Sequence, residues 1–304
     1  MFFNRKPIGN TLCAFSFNAE GLSFVMVEKN GKEKPRILHW ETVSCPQNDY
    51  LVVLRGLSKQ FKLSKRRCAF TLHADDYRLL HVDAPPVPED EMVAAIKWDV
   101  QDIIDLPVEE TTFDIFPTPE DSGQSKSVNV VAARRAPLVE KIELLKKAKI
   151  NLTIVDIEEL ALLNLVSAVS GDVKGVVGIL LHDSYGVINF CKNGELYFTR
   201  RLELGFNNLD QTHDTLESLA LEIQRSIDYF DRHFSTTSMS SVALMPSFEA
   251  ATVVSQFLNN NLSLPCVVSD LHEGLEWIVG SITPITDDLI LTLGAALRSE
   301  KVVA

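Results

Sequence analysis

The sequence predicts an α/β protein of two lobes that repeat one arrangement of strands and helices. Residues 15–43 and 179–204 follow the same pattern of a strand, a polar turn, a second strand, a hairpin and a third strand. The triplet Lys-Asn-Gly marks the hairpin in both stretches and begins at Lys29 and at Lys192. One such hairpin arises easily by chance, but two with matching flanks indicate duplicated lobes.

A helix and a further strand follow each three-strand unit. After the first unit, apolar residues recur at helical spacing over residues 51–61, and residues 68–72 form the apolar run of a buried strand. After the second unit, the helical spacing covers residues 216–230 and a strand follows at 241–245. This arrangement, used twice, describes the actin-like fold. In that fold the first turn of each lobe faces a central cleft, where backbone amides can hold phosphates.

Residues 78–155 lie outside the repeated unit and predict an inserted subdomain. Their order of elements is ferredoxin-like βαββαβ, a module that often pairs with other proteins. The predicted elements are strand 78–83, helix 88–104, strands 111–116 and 128–134, helix 136–147 and strand 151–155. The predicted divisions of the chain are 1–77 for the first part of lobe 1, 78–155 for the insertion, 156–174 for the rest of lobe 1, 175–285 for lobe 2 and 286–304 for a C-terminal helix that packs back on lobe 1.

The composition argues against several classes of function. Forty-one acidic residues against 29 basic ones give a net charge of −12. Nucleic-acid binding is therefore not expected, because it needs a basic face. No apolar run approaches the roughly 20 residues that span a bilayer. The five cysteines are scattered without a Cys-x-x-Cys pair, so we expect a protein of the reducing cytoplasm with neither a zinc site nor disulfides.

The usual sequence marks of catalysis are also missing. Neither a Walker loop nor a Gly-x-Ser-x-Gly elbow occurs, and the seven histidines lack metal-ligand spacing. His182 lies in a strand-like run, where we expect one packed or hydrogen-bonded imidazole rather than a metal ligand. The sequence therefore predicts no catalytic residues and no metal site.

Motifs along almost the whole chain resemble those of the PilM-type actin-like proteins of type IV pilus machines. Residues 89–114 are similar to that family's acidic helix start, its Ile-Lys-Trp motif at Trp98 and its Pro-containing turn at Pro107. Within the family, the members that serve MSHA pilus biogenesis are the most similar. Further matches are Val-Val-Ala-Ala-Arg at 130–134, Val-Asp-Ile-Glu at 155–158, residues 194–200, Glu222 with Arg225, and Leu-Gly-Ala-Ala-Leu-Arg at 293–298.

The resemblance implies an FtsA-like arrangement of subdomains 1A, 1C, 2A and 2B, with the insertion as 1C. It also implies a cytoplasmic adaptor at the inner face of the inner membrane. Such an adaptor binds the N-terminal cytoplasmic tail of a PilN-type inner-membrane protein in a groove around 1A and 1C, and contacts the pilus assembly ATPase. The candidate partner-binding residues are Trp98, Ile104, Leu106 and Pro107.

Three of these candidates have a plain structural alternative. For Trp98 we expect core packing with Val93, Ile96 and Ile103 on one amphipathic helix, and a partner-facing anchor is the alternative. Leu106 and the proline after it can equally be a helix stop.

The resemblance also aligns three nucleotide-binding loops, and all three are altered here. The first phosphate loop of relatives reads Asp-(Ile/Leu)-Gly-Ser-Ser and aligns with residues 16–20. The second aligns with residues 180–184, and a Gly-Gly turn for the nucleoside aligns with residues 245–247. The metal-organising Asp of the first loop is replaced by Ser16, and the loop Gly by Asn18.

These changes predict a degenerate nucleotide cleft, a pseudo-ATPase without an expected cofactor. Glu20 and Asp183 place negative charge where phosphates would lie, and Pro246 lacks a backbone donor. The alternative is an ATP-binding switch that takes Mg·ATP and controls partner affinity through lobe closure. Glu222 and Arg225 match positions near the adenosine of relatives, or form a surface salt bridge. The candidate cleft residues are Asn18, Ala19, Glu20, Asp183, Ser184, Tyr185, Gly186, Glu222, Arg225, Met245 and Pro246.

Overall fold

A computed structural model describes residues 10–18, 20–31, 33–119, 126–209, 213–234, 236–278 and 286–299. The helices in these ranges are α1 Tyr50–Phe61, α2 Glu89–Asp99, α3 Arg135–Lys147, α4 Glu158–Val169, α5 His213–His233, α6 Ala251–Asn261, α7 Leu271–Gly274 and α8 Asp287–Ala296. The strands are β1 Thr11–Asn18, β2 Gly21–Glu28, β3 Arg36–Ser44, β4 Arg67–Thr71, β5 Tyr77–Asp83, β6 Thr111–Pro117, β7 Ser127–Arg134, β8 Leu152–Asp156, β9 Val176–Leu181, β10 Gly186–Lys192, β11 Glu195–Leu202, β12 Ser241–Leu244, β13 Cys266–Val268 and β14 Glu276–Trp277.

Two sheets of matching topology confirm the predicted actin-like fold with duplicated lobes. Lobe 1 has the strand order β14-β3-β2-β1-β4-β8, and lobe 2 has β11-β10-β9-β12-β13. In each sheet an antiparallel three-strand meander continues into parallel strands. Strand β14 pairs with β3 of the first sheet, so the chain returns to lobe 1 at Glu276, before the predicted boundary at 285.

The two Asn-Gly sequences form different connections. In lobe 2, Asn193 and Gly194 form the two-residue turn of a hairpin between β10 and β11. Their φ angles of 54° and 72° are positive, as a type I′ turn requires of both central residues. In lobe 1 the connection extends from the end of β2 to Arg36, so the predicted tight hairpin is wrong there. Pro35 directly precedes β3 and has no N–H to extend the strand ladder.

The inserted subdomain is smaller than predicted. Strands β5, β7 and β6 form an antiparallel sheet in that order, and α2 packs on it through an apolar cluster that includes Ile96, Val100 and Val130. The order of elements along the chain matches βαββαβ, but β8 pairs with β4 in lobe 1. Helix α3 packs against α1 there, because Leu145 joins the lobe 1 core. A ferredoxin-like sheet of four strands therefore does not form, and the inserted subdomain consists of β5, α2, β6 and β7.

Helices α4 and α8 lie between the two sheets. Their apolar residues join one core that contains Val25 of lobe 1 and Leu180 of lobe 2. Gly294 lets the helices approach closely, since a Cβ there would lie 2.2 Å from the carbonyl oxygen of Ala161. Among the described residues, none of the helices is long and apolar enough to cross a membrane.

The close approach of α4 and α8 gives the first testable prediction. Gly294→Ala lowers the free energy of unfolding by about 1–3 kcal/mol, because the new methyl group overlaps backbone atoms. Gly56→Ala in α1 is the matched control. Nothing lies within 4 Å of its new Cβ, so it raises stability by roughly 0.5–1 kcal/mol through helix propensity. Urea denaturation measures both, and equal effects of the two variants would contradict the packing described.

Candidate functional site

The first turns of both lobes meet at the N-terminus of α8. Asn18, at the end of β1, donates a hydrogen bond from Nδ2 to the carboxylate of Asp288. His182, directly after β9, lies with Nδ1 2.7 Å from Oδ2 of Asp287. Because Asp287 and Asp288 are neighbours in α8, the two turns face one point. That point is the centre of the cleft between the lobes.

The polar groups of the first turn are engaged within the protein. Asn18 accepts a hydrogen bond through Oδ1 from the backbone N–H of Glu20 at 2.9 Å. Thr292 of α8 donates to Oγ of Ser16 at 2.7 Å. The side chain of Glu20 is exposed, and Ala19 lies outside the described residues. The amide of Glu20, which a phosphate loop would offer to a ligand, is therefore already used.

The second turn is covered by the segment that follows β11. The backbone N–H groups of Phe206 and Asn207 donate to the carbonyls of His182 and Asp183 at 2.8 and 3.0 Å. A Cβ on Gly205 would lie 2.4 Å from the amide nitrogen of Ser184, so the glycine backbone fills the space beside that amide. The side chains of Asp183 and Ser184 are exposed, whereas Gly186 is buried at the start of β10.

A buried ion-pair network occupies the cleft. The side chain of His182 is almost fully buried and bridges two carboxylates. Its Nε2 lies 3.6 Å from Oε2 of Glu158 in α4, a distance close enough for an ion pair but too long for a hydrogen bond. The ring of Tyr185 stacks on the imidazole at 4.3 Å, and its hydroxyl donates to Glu158 at 2.8 Å. Arg201 lies 3.8 Å from the centre of the Tyr185 ring.

The charges of this network determine its protonation. Burial by itself would lower the pKa of His182, but the hydrogen bond with Asp287 and the negative charges of Glu158 and Asp287 outweigh it and raise that pKa to about 9. Burial opposes ionisation of Asp287 as well, yet the imidazolium holds its pKa below the usual value. His182 is therefore a cation at neutral pH, and its charge is compensated by groups of the protein.

Hydrogen bonds of Tyr77 with Glu158 and Glu159 connect the cleft with the inserted subdomain. The hydroxyl of Tyr77, the first residue of β5, donates to Oε2 of Glu159 at 2.7 Å. The same hydroxyl accepts a hydrogen bond from the backbone N–H of Glu158 at 3.2 Å. Burial, followed by the charge of Glu158, raises the pKa of Glu159 to about 7. The network thus joins α4, α8, lobe 2 and the inserted subdomain.

The remaining candidate cleft residues are ion-paired or packed within the protein. Glu222 forms ion pairs with Arg225, at 2.7 Å along α5, and with Arg200 of β11, at 2.6 Å. The i,i+3 salt bridge proposed from the sequence therefore forms. Met245 is buried in the core between the sheets, and Pro246 is half-buried.

Sequence reasoning identified His182 as a packed or hydrogen-bonded imidazole but missed its partners. Glu158 and Asp287 are far from it in the chain, the latter 105 positions away. The one available signal was the pair of acidic residues at the start of both α4 and α8. Two acidic helix starts beside a histidine at an altered phosphate loop indicate such a network.

A groove runs beside β6, between the inserted subdomain and lobe 1; we call it the junction groove. It consists of two cavities of about 930 and 300 Å³. Thr111 and Pro137 of the first cavity are chain neighbours of Thr112 and Leu138 of the second. Strands β6 and β8 are both sheet edges, so each offers unpaired backbone groups. The apolar residues that line the groove include Leu106, Pro107, Phe116, Leu138, Val139, Ile142, Val155 and Leu160.

The four candidate partner-binding residues do not form one site. Leu106 and Pro107 line the junction groove, but Leu106 is also buried with Ile104 in the apolar cluster of the inserted subdomain. Trp98 is 68% exposed, so the expectation that it packs in the core is wrong. Helix α2 ends at Asp99 instead of continuing to Ile104.

The comparisons with known proteins show one family and the fold of two solved structures. The model of the family "Type IV pilus assembly protein PilM" matches residues 47–215. A chain of the "PilM-PilN type IV pilus biogenesis complex" is 19% identical, with a TM-score of 0.73 over 94% of this chain and 98% of that one. The cytoplasmic domain of EpsL, an inner-membrane component of the type II secretion system of Vibrio cholerae, is 13% identical, with a TM-score of 0.54 over 95% of this chain and 96% of that one. No curated protein sequence matches the chain.

The His182 ion pairs predict a specific dependence of stability on pH. Because the pKa rises from 6.5 to about 9 on folding, the folded state holds the proton more tightly. The stabilisation that this proton gives to the folded state is complete below pH 6.5 and is lost as the pH rises through about 9. The free energy of unfolding falls by about 3 kcal/mol over that range. His182→Gln is less stable at pH 6.5 and lacks this loss.

Chemical denaturation at several pH values between 6 and 10 measures the effect. His272→Gln, which removes an exposed histidine, is the control and keeps the wild-type profile. If the stability of His182→Gln changes with pH in parallel with that of the wild type, the imidazolium does not stabilise the folded state.

Proposed function

Because the chain belongs to the family of type IV pilus assembly proteins PilM, we propose that it is a cytoplasmic adaptor of MSHA-type pilus biogenesis. It binds the N-terminal cytoplasmic tail of a PilN-type inner-membrane protein in the junction groove, and so is recruited to the inner face of the inner membrane. Through a second contact it connects this protein to the pilus assembly ATPase. The adaptor itself hydrolyses no nucleotide.

The observation that carries this proposal is the shape and chemistry of the junction groove. Its floor is apolar, with Phe116, Leu138 and Ile142 in the narrower cavity. The seven residues of β6 extend over about 23 Å, which suits an extended peptide of similar length. Edge strands add main-chain hydrogen bonds to such a peptide, and the pockets beside them select its side chains. A related chain of similar fold has been solved in a PilM–PilN complex.

The wider cavity adds charge at the other end of the groove. Arg134 and Arg135 lie there beside Asp105, Glu109 and Glu110. Asp114, Asp156 and Arg298 line the smaller cavity, so both cavities combine apolar and charged groups. A peptide that carries both kinds of side chain suits the groove.

The filled cleft supports the role of a pseudo-ATPase. The His182 imidazolium lies between Asp287 and Glu158, and the amides of Glu20 and Ser184 are engaged or covered. With Glu159 and Asp288 nearby, a triphosphate would meet four carboxyl groups against two cations, His182 and Arg201, which is electrostatically unfavourable.

Peptide binding tests the proposal directly. In isothermal titration, the N-terminal peptide of the PilN-type protein binds the wild-type chain, and Leu138→Ala weakens binding by about 5–50-fold, because the lost apolar contact contributes on the order of 1–2 kcal/mol. Val52→Ala, at a site on α1 that is 70% exposed, is the control and binds like the wild type. No heat with the wild-type chain, or equal affinity of Leu138→Ala, would rule out the groove.

Nucleotide binding separates the adaptor from the ATP-dependent switch. We expect Mg·ATP at millimolar concentration to leave the thermal unfolding of the wild-type chain unchanged. A ligand at 100 times its dissociation constant stabilises a protein by about 2.7 kcal/mol, which thermal unfolding resolves readily. Stabilisation of that size, together with a changed affinity for the peptide, would replace the pseudo-ATPase role by a nucleotide switch.

A further inference from the structure

The outer side of α2 and the turn after it expose large apolar side chains. Trp98 is 68% exposed, Ile103 62% and Val93 37%. Helix α2 is held on its sheet by other residues, namely Ile96 and Val100. The exposed side chains therefore do not anchor the helix. We call Trp98 and Ile103, with the carboxylates around them, the α2 face.

The α2 face is strongly acidic. Residues 88–103 contain five carboxylates and one lysine, and so carry −4 of the chain's net charge of −12. Four of these carboxylates, Asp90, Glu91, Asp99 and Asp102, are exposed on α2 and its following turn. In the part of the chain that the structure describes, none of these four forms an ion pair.

Folding alone does not account for this combination. Asp90 and Glu91 suit the positive start of α2, but Asp99 lies at its C-terminal end, where the helix dipole makes a carboxylate unfavourable. An exposed tryptophan also loses contact with the core. Tryptophan is, however, enriched among the residues that contribute most to protein–protein binding. An apolar centre with a charged border also has the composition of an interface.

We propose that the α2 face binds a basic amphipathic segment of a partner protein. The apolar side of that segment covers Trp98 and Ile103, while its lysines and arginines lie against Asp99 and Asp102. Trp98 and Ile103 do not line the junction groove, so the α2 face and the groove can be occupied at once. The inference goes beyond the proposed function, which concerns the occupant of the groove.

Charge decides between the possible occupants. A membrane surface with anionic lipids repels a face of this sign, because the surface potential of such lipids is negative. A second copy of the chain would place carboxylates against carboxylates, which is unfavourable across a two-fold interface. A basic segment neutralises the four carboxylates and covers the apolar centre at the same time.

Binding of synthetic peptides to the whole chain tests this inference. The probe is a labelled 18-residue peptide with leucines at helical spacing and lysines elsewhere, and its binding is followed by fluorescence anisotropy. We expect Trp98→Ala and Asp102→Lys each to weaken binding at least tenfold without changing the melting temperature. Val52→Ala and Asp231→Lys, at exposed sites outside the face, leave the affinity unchanged.

Two further peptides and two further measurements can each contradict the proposal. A peptide with glutamates in place of the lysines, and one with serines in place of the leucines, must bind at least tenfold more weakly. Equal affinity of the serine peptide would mean that binding depends on non-specific attraction between charges and not on the apolar centre. Binding to anionic vesicles that is lost in Trp98→Ala would assign the face to a membrane. A dimer that dissociates in Trp98→Ala would assign it to a second copy.

Discussion

The ion pairs of His182 with Asp287 and Glu158 are the interaction on which the arrangement of the two lobes depends. They bring together the first turn of lobe 2, the start of α4 and the start of α8. In a buried site, removal of one member leaves an uncompensated charge and is strongly unfavourable. The cleft of this fold therefore has an internal cation at its centre, and its walls are held by groups of the protein itself.

A fixed cleft has a consequence for the junction groove. Helix α4 carries Glu158 and Glu159 in the cleft and, at its next residue, Leu160 in the groove. Tyr77 holds the inserted subdomain to the same two glutamates. The groove is therefore formed before any peptide arrives, and a preformed site loses less conformational entropy on binding. Under the function proposed above, the partner surface therefore stays available whatever the nucleotide concentration.

Much of the fold could be predicted, because the duplicated strand pattern and the Asn-Gly pair of lobe 2 are local signals. The errors arose where distant residues decide the outcome. Strand β8 has the pattern of any buried strand, and only packing shows that it pairs with β4. Trp98 has helical spacing to apolar neighbours, yet α2 ends at Asp99 and leaves it exposed. In the cleft, the altered loops could be seen, but the partners of His182 are separated from it in the chain and joined only by the fold.

The central claim is that the protein's own ion pairs, rather than a nucleotide, hold the lobes together. The most direct measurement is the distance between spin labels on Val52→Cys in lobe 1 and Val253→Cys in lobe 2, two exposed sites, with the half-buried Cys45 replaced by serine. The account predicts one narrow distance distribution that Mg·ATP leaves unchanged and that His182→Gln broadens. A distribution that is broad in the unliganded chain and narrows with Mg·ATP would contradict it.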